Sequence, residues 1–246
     1  MDQLLTRLTP DARMTVITGA GVSAASGVPT FRGPDGLWKR HRPEELATPE
    51  AFARDPRLVW EWYDWRRQQI AACQPNGAHN VLAAWSRRYE HFTLITQNVD
   101  GLHERAGTRH VLRFHGSIWE VACWNRCSGS PLHWSDETVP MTDIPPRCAH
   151  CGGVIRPGVV WFGEAIDPEI YARCRDATFC DVFLTIGTSA VVYPAASFVQ
   201  EARAKGAFTV EINLEPTPAS NLVDLSLQGP AEVILAELDE RLSRKY

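Results

Sequence analysis

Three short motifs carry residue types suited to chemistry on a nucleotide. In Gly19-Ala20-Gly21-Val22-Ser23-Ala24, directly after the apolar run Met14 to Ile17, the small residues allow a tight turn after a strand. They also let backbone amides approach a pyrophosphate and a helix pack closely on a sheet, with the anion at the helix N-terminus. A plain glycine-containing connection would look the same when taken alone. Gln97-Asn98-Val99-Asp100 ends the run Phe92 to Thr96 with amides and an acid, a set that lines a ligand or caps a helix. His115-Gly116 ends Val111 to Phe114. A lone histidine is usually structural, but one at a strand end facing a nucleotide is a candidate general base, because it titrates near neutral pH.

A hydride-transferring enzyme should carry an acidic residue about 20 positions after such a turn, at the end of a second strand, to hold the ribose. Here the interval holds Gly27 to Gly36, dense in glycine and proline, with Phe31 and Arg32 as its aromatic and its cation. That segment reads as a loop covering a ligand rather than as a strand. Plain dehydrogenase chemistry is therefore disfavoured.

Four of the seven cysteines fall into two close pairs, Cys123 with Cys127 and Cys148 with Cys151. Two such pairs make a tetrahedral thiolate cage for zinc, structural because no residue of the segment supplies a base beside a metal-bound water. The first pair is one residue wider than usual, which leaves an unmetallated loop, or His133 or His150 as substitute ligands, as alternatives. Cys73, Cys174 and Cys180 read as small buried apolar residues.

These groups must be positioned by a larger scaffold. The 246 residues are 44% hydrophobic and 22% charged, the make-up of a soluble globular protein with a sizeable core. Runs rich in β-branched residues at Met14 to Thr18, Phe92 to Thr96, Asp181 to Ile186 and Phe208 to Ile212 alternate with helical patterns. This predicts an α/β fold, a Rossmann-like parallel sheet with helices on both faces. Glu232 to Lys245 predicts a closing amphipathic helix. Two segments break the alternation, so the expected division is a nucleotide-binding domain of residues 1–37, 76–118 and 154–246. Residues 38–75 and 119–153 then form a smaller domain, a helical module plus a zinc-binding module. The net charge of −4 offers no general field for nucleic acid or an anionic membrane. No leader sequence is evident and no apolar run approaches the roughly 18 residues that span a bilayer, so a cytoplasmic protein, read as a monomer, is expected.

Taken in order, GAGVSAASGVPTFR, QNVD, HG, the two cysteine pairs, Arg156 to Glu164 (RPGVVWFGE) and Gly187-Thr188-Ser189 resemble the sirtuins, NAD-dependent protein lysine deacylases, over about Met14 to Ala231. The resemblance implies that Gly19, Ala20 and Gly21 hold the pyrophosphate of NAD. Thr30, Phe31, Arg32 and Trp38 would belong to the cover over the nicotinamide ribose. Gln97 would contact ribose, while Asn98, Val99 and Asp100 would line the nicotinamide pocket, Asn98 as a catalytic residue. Gly187, Thr188 and Ser189 would bind phosphate and ribose, and Asn213, Leu214, Glu215 and Ala231 the adenosine. The acyl-lysine peptide would lie as an added strand between Val159 to Glu164 and Val192-Tyr193, touching Val160, Phe162, Gly163 and Val192. His115 would be the general base, and the products nicotinamide, free lysine and acyl-ADP-ribose.

Tyr63 and Arg66 stand three apart, on one helix face. A Tyr-x-x-Arg pair here, with Ala47 and with Thr30 in place of a common aspartate, resembles the sirtuin branch that removes succinyl and malonyl groups. There a tyrosine hydroxyl and an arginine fork read the distal carboxylate. The expectation is therefore a desuccinylase and demalonylase. Alternatives are a predominant deacetylase, an NAD-dependent ADP-ribosyltransferase and, from another class, a zinc-ribbon nucleic-acid binder, which Asp136, Glu137 and Asp143 near the cysteines disfavour.

Overall fold

The computed structural model describes residues 1–31, 36–37 and 42–245. Two expected site residues, Arg32 and Trp38, lie outside the described set.

A six-stranded parallel sheet carries the fold. Its strands are β1 (Met14–Thr18), β2 (Phe92–Thr96), β3 (Val111–Arg113), β7 (Val182–Ile186), β8 (Phe208–Asn213) and β9 (Leu225–Gln228), in the order β3-β2-β1-β7-β8-β9. Strands β1 and β7 are buried at every residue. Continuous apolar and β-branched runs suit a sheet covered on both faces, and so they were readable. Met14, Val16, Leu94, Leu184 and Val210 face one core with helices α5 (Gly77–Arg88) and α9 (Ala231–Ser243). Ile17, Ile95 and Phe183 face another with α7 (Pro168–Ala177) and α8 (Phe198–Ala204). Among the described residues no helix is long and apolar enough to cross a membrane.

A smaller layer stands beside this sheet. Its three antiparallel strands are β4 (Gly116–Cys123), β5 (Trp134–Ser135) and β6 (Ile155–Val159), with β4 central. They pack against helices α3 (Pro49–Arg54) and α4 (Pro56–Ala71) around Phe52, Trp60, Val121 and Ile155. The small sheet extends to either side of residues 119–153. Helix α4 starts cleanly, since Pro56 occupies its first turn and the Asp55 side chain accepts the Leu58 amide hydrogen at 3.0 Å.

Candidate active site

Strand order reverses about β1: β2 lies on one side and β7 on the other, in register at Thr18, Thr96 and Ile186. Such a reversal opens a crevice beyond the carboxyl ends of parallel strands. There Gly19, Gln97 and Gly187 leave three adjacent strands together. A cavity of about 830 Å³ fills the crevice and reaches the small layer.

The turn after β1 is a 3₁₀ helix, Ala20 to Ser26, closed by Gly27 at φ 88°. Its glycines answer to the protein's own backbone. A Cβ at Gly19 would stand 2.7 Å from the Thr188 Cβ, and one at Gly21 2.7 Å from the Gly187 carbonyl. The Gly21 amide hydrogen is donated to that carbonyl at 2.7 Å. The second glycine, expected to clear space for a pyrophosphate, thus lets two strand-end turns lie against each other. Gly187 itself has φ +60°, and its Cβ would meet the Val22 nitrogen at 2.4 Å. Gly187→Ala is expected to cost about 2 kcal/mol or more, lowering Tm by roughly 4–8 °C in a thermal melt.

The cavity collects nearly all the expected side chains. Gly19, Ala20, Gly21, Thr30 and Phe31 line it from the first turn and the cover; Gln97, Asn98, Val99 and His115 line it from β2 and β3. Gly187, Thr188, Ser189, Asn213, Leu214, Glu215 and Ala231 form its far end. Ala47, Tyr63, Arg66, Val160, Phe162, Gly163 and Val192 form the near one. Asp100 is absent from this lining. It is buried, accepting the Ser23 hydroxyl at 2.8 Å and the Leu102 amide hydrogen at 2.9 Å, and burial raises its pKa. The acid expected to line the nicotinamide pocket is thus buried and bonded to Ser23.

Ser23 is a hub that the motifs did not reveal. The Asn98 amide donates to it at 3.2 Å and to the Gly19 carbonyl at 3.1 Å. His79 accepts the Asn76 backbone hydrogen on Nδ1 at 3.3 Å. Its proton therefore sits on Nε2, 3.4 Å from the Ser23 hydroxyl. Burial pushes the His79 pKa down to about 4. Nothing local marked His79, which meets Ser23 only through the packing of α5 beneath the turn.

His115 has its Nδ1 3.1 Å from the Gln97 carbonyl. A carbonyl only accepts, so Nδ1 carries the proton and Nε2 keeps its lone pair. Burial lowers the His115 pKa, opposed by that hydrogen bond.

The near end holds an unusual cation. Arg66 is 6% exposed, its guanidinium stacked 4.8 Å from the Phe31 ring centroid and 4.9 Å from that of Trp62. Burial lowers its pKa, and among the described residues it has no ion pair. Its neighbour Arg67 is also buried, but is bound to the Ile118 carbonyl and to Asp136. Tyr63, 3% exposed, lies beside Arg66, and burial raises its pKa. Ala47 offers its carbonyl to the Phe162 amide hydrogen at 3.0 Å, joining the helical module to the segment after β6.

Outside the cavity, the sulfurs of Cys123, Cys127, Cys148 and Cys151 lie within 4.8 Å of one another. The Cys123–Cys151 and Cys127–Cys148 separations are 3.6 and 3.8 Å. A tetrahedron with zinc–sulfur bonds of about 2.3 Å has edges of about 3.8 Å, so the set fits zinc with no position left for water. The wider first pair is accommodated by a turn in which Arg126 adopts φ 47° and donates its amide hydrogen to the Cys123 carbonyl. Cys127 is thus the fourth member, and neither His133 nor His150 belongs to the set. Backbone amide donors, led by Cys127, pull the Cys123 pKa down to about 6.

The Sir2 family model matches residues 19–194. An NAD-dependent protein deacylase of Aquifex aeolicus (strain VF5) is 48% identical over 234 residues, covering 95% of this chain and 96% of the relative. The crystal structure of a Sir2 homolog–NAD complex superposes with a TM-score of 0.90 at 43% identity, covering 100% of this chain and 94% of that one. A Sir2–p53 peptide–NAD+ complex gives 0.87 at 28% identity, covering 99% of each. Its cavity at the strand-order reversal, its four-cysteine module and these matches along its length show that the chain belongs to the Sir2 family.

Proposed function

We propose that this Sir2-family enzyme removes acyl groups from protein lysines in an NAD-dependent reaction, favouring succinyl and malonyl over acetyl. The observation that carries the preference is Arg66: a buried cation facing the cavity, held by aromatic rings, with no carboxylate paired to it among the described residues. An unpaired buried charge is costly. A substrate carboxylate would supply the missing partner, with the Tyr63 hydroxyl as second donor. An acetyl group could not.

When bound, NAD supplies an electrophilic ribose carbon joined to a cationic leaving group, nicotinamide. The residues present suit it, because the cavity has dinucleotide size and its far end offers the polar groups of Thr188, Ser189 and Asn213. Gln97 and Asn98 would orient the ribose and carboxamide, with Asn98 itself fixed by Gly19 and Ser23. Phe31 would close over the reacting centre and exclude water. His115 would take the proton of a ribose hydroxyl on its free Nε2. The peptide would run between Val160 to Gly163 and Val192-Tyr193, where Phe162 (43% exposed) and Tyr193 (70% exposed) leave apolar surface uncovered. The products would be nicotinamide, free lysine and O-acyl-ADP-ribose. A cytoplasmic monomer stays within this proposal, with neither nucleic acid nor membrane as partner, an absence that the net charge of −4 supports.

Steady-state kinetics on succinyl- and acetyl-lysine peptides test the reading. Arg66→Met is expected to lower kcat/KM on the succinyl peptide about a hundredfold, the scale of a lost charged hydrogen-bond pair, and on the acetyl peptide far less. Equal loss on both peptides would sink the preference.

A further inference from the structure

Trp161 is held by contacts that packing alone does not require. Its Nε1–H donates to the Tyr63 hydroxyl oxygen at 2.9 Å. An indole N–H only donates, so the contact occupies an acceptor site on that oxygen and leaves the single phenolic proton directed elsewhere. The indole is fixed in turn. The Arg156 guanidinium stacks 3.8 Å from its centroid. Two N–H groups of Arg156 grip the Glu164 carboxylate and one also reaches the Val159 carbonyl. Glu164 accepts the Trp161 backbone hydrogen as well, at 2.8 Å. Arg156, Trp161 and Glu164 thus form a rigid bracket behind Tyr63, on the same segment that supplies Val160 and Phe162 to the cavity.

We infer that Trp161 is a positioning residue for acyl specificity: its N–H orients the Tyr63 hydroxyl so that the phenolic proton is presented to the substrate's distal carboxylate, beside Arg66. The inference rests on the reading of Tyr63 and Arg66 as the carboxylate-binding pair. A chain running from indole N–H through phenol O–H to a carboxylate is polarised along its length, so each donor strengthens the next. A short apolar acyl group has no acceptor at that place and draws nothing from the chain.

Trp161→Phe keeps an aromatic ring and removes the N–H. The ratio of kcat/KM on succinyl- to acetyl-lysine peptide is expected to fall about three- to tenfold, the worth of one neutral hydrogen bond. In a Tyr63→Phe background the same change should lower the ratio no further, because the partner is already gone. An equal fall in both backgrounds, or equal losses on both peptides, would mark Trp161 as packing only and overturn the inference. Arg66→Met measured alongside separates the two levels: if it leaves the ratio intact, the carboxylate reading itself falls and the inference with it. A readout independent of Trp161→Phe folding is the ¹H–¹⁵N spectrum of the nine tryptophan indoles. One indole resonance of the Tyr63→Phe protein should move upfield as its hydrogen bond is lost. An unchanged indole pattern would overturn the inference.

Discussion

His115→Ala is expected to lower kcat for deacylation by about 10²- to 10⁴-fold, the range for a positioned general base. The KM for NAD should change far less than kcat, since the imidazole would supply one contact among many along the cofactor and its hydrogen bond within the protein is to the Gln97 carbonyl. The pH profile carries the stronger signature. Only the neutral imidazole accepts a proton, and burial holds its pKa below the ordinary 6.5. Wild-type kcat should therefore be flat through pH 7 and decline only on the acid side of the usual histidine range. In His115→Ala the residual rate should lose that limb. A variant within threefold of wild-type kcat would move the base elsewhere.

Folding must be followed in the same experiment. His79 titrates at about 4 and His103 well below 6.5 in the folded chain, both because burial disfavours the cation. Below pH 6.5 the unfolded chain takes up protons that the folded chain refuses, so this contribution to stability is complete above 6.5 and is lost as pH falls towards 4. Thermal melts across pH 4–8 separate that loss from the catalytic limb.

Loss of zinc should have the second large effect. A structural thiolate site contributes about 10–16 kcal/mol of binding free energy in zinc-finger peptides, on the scale of a whole domain's stability, about 5–15 kcal/mol. The four cysteines tie the end of β4 to the loop that leads into β6, and those strands bear directly on the cavity: β4 begins at Gly116, beside His115, and β6 ends at Val159, beside Val160. Strand pairing joins Gly116 to Val159. Cys148→Ser, or strong chelation, is expected to reduce zinc from one ion per chain to none by elemental analysis. Tm should fall by ten degrees or more, taking roughly 2–4 °C per kcal/mol, and deacylation should be lost with it. Zinc-free protein with unchanged Tm and full activity would sink the structural assignment.

The central strands were legible because burial on both faces demands continuous β-branched runs. Met14–Thr18 and Phe92–Thr96 appear with the bounds their composition implies. The small sheet was not so legible. Strand β6 reads Ile-Arg-Pro-Gly-Val, and proline and glycine argue against a strand when read locally. The edge strand β9, four residues of alternating burial, is too short to stand out. Legibility of the site divides the same way. His115, Asn98 and the glycines end recognisable runs, and Tyr63 and Arg66 share a helix face by spacing alone. Ser23 lies inside the glycine motif with no local sign of its role, and His79 belongs to no motif at all.

By itself the sequence determined which chemistry was present and which elements held it, because helical spacing, strand composition and cysteine pairing are local properties. Tertiary structure decided which groups meet. It bonded Asp100 to Ser23, gave Arg67 an acid partner, stacked Arg66 on aromatic rings with no ion pair among the described residues, and placed the Trp161 indole on the Tyr63 hydroxyl across 98 positions of chain. Such contacts depend on how the helical module packs against the small sheet. A hydrogen bond forms or fails within a few tenths of an ångström, and no residue spacing encodes that distance.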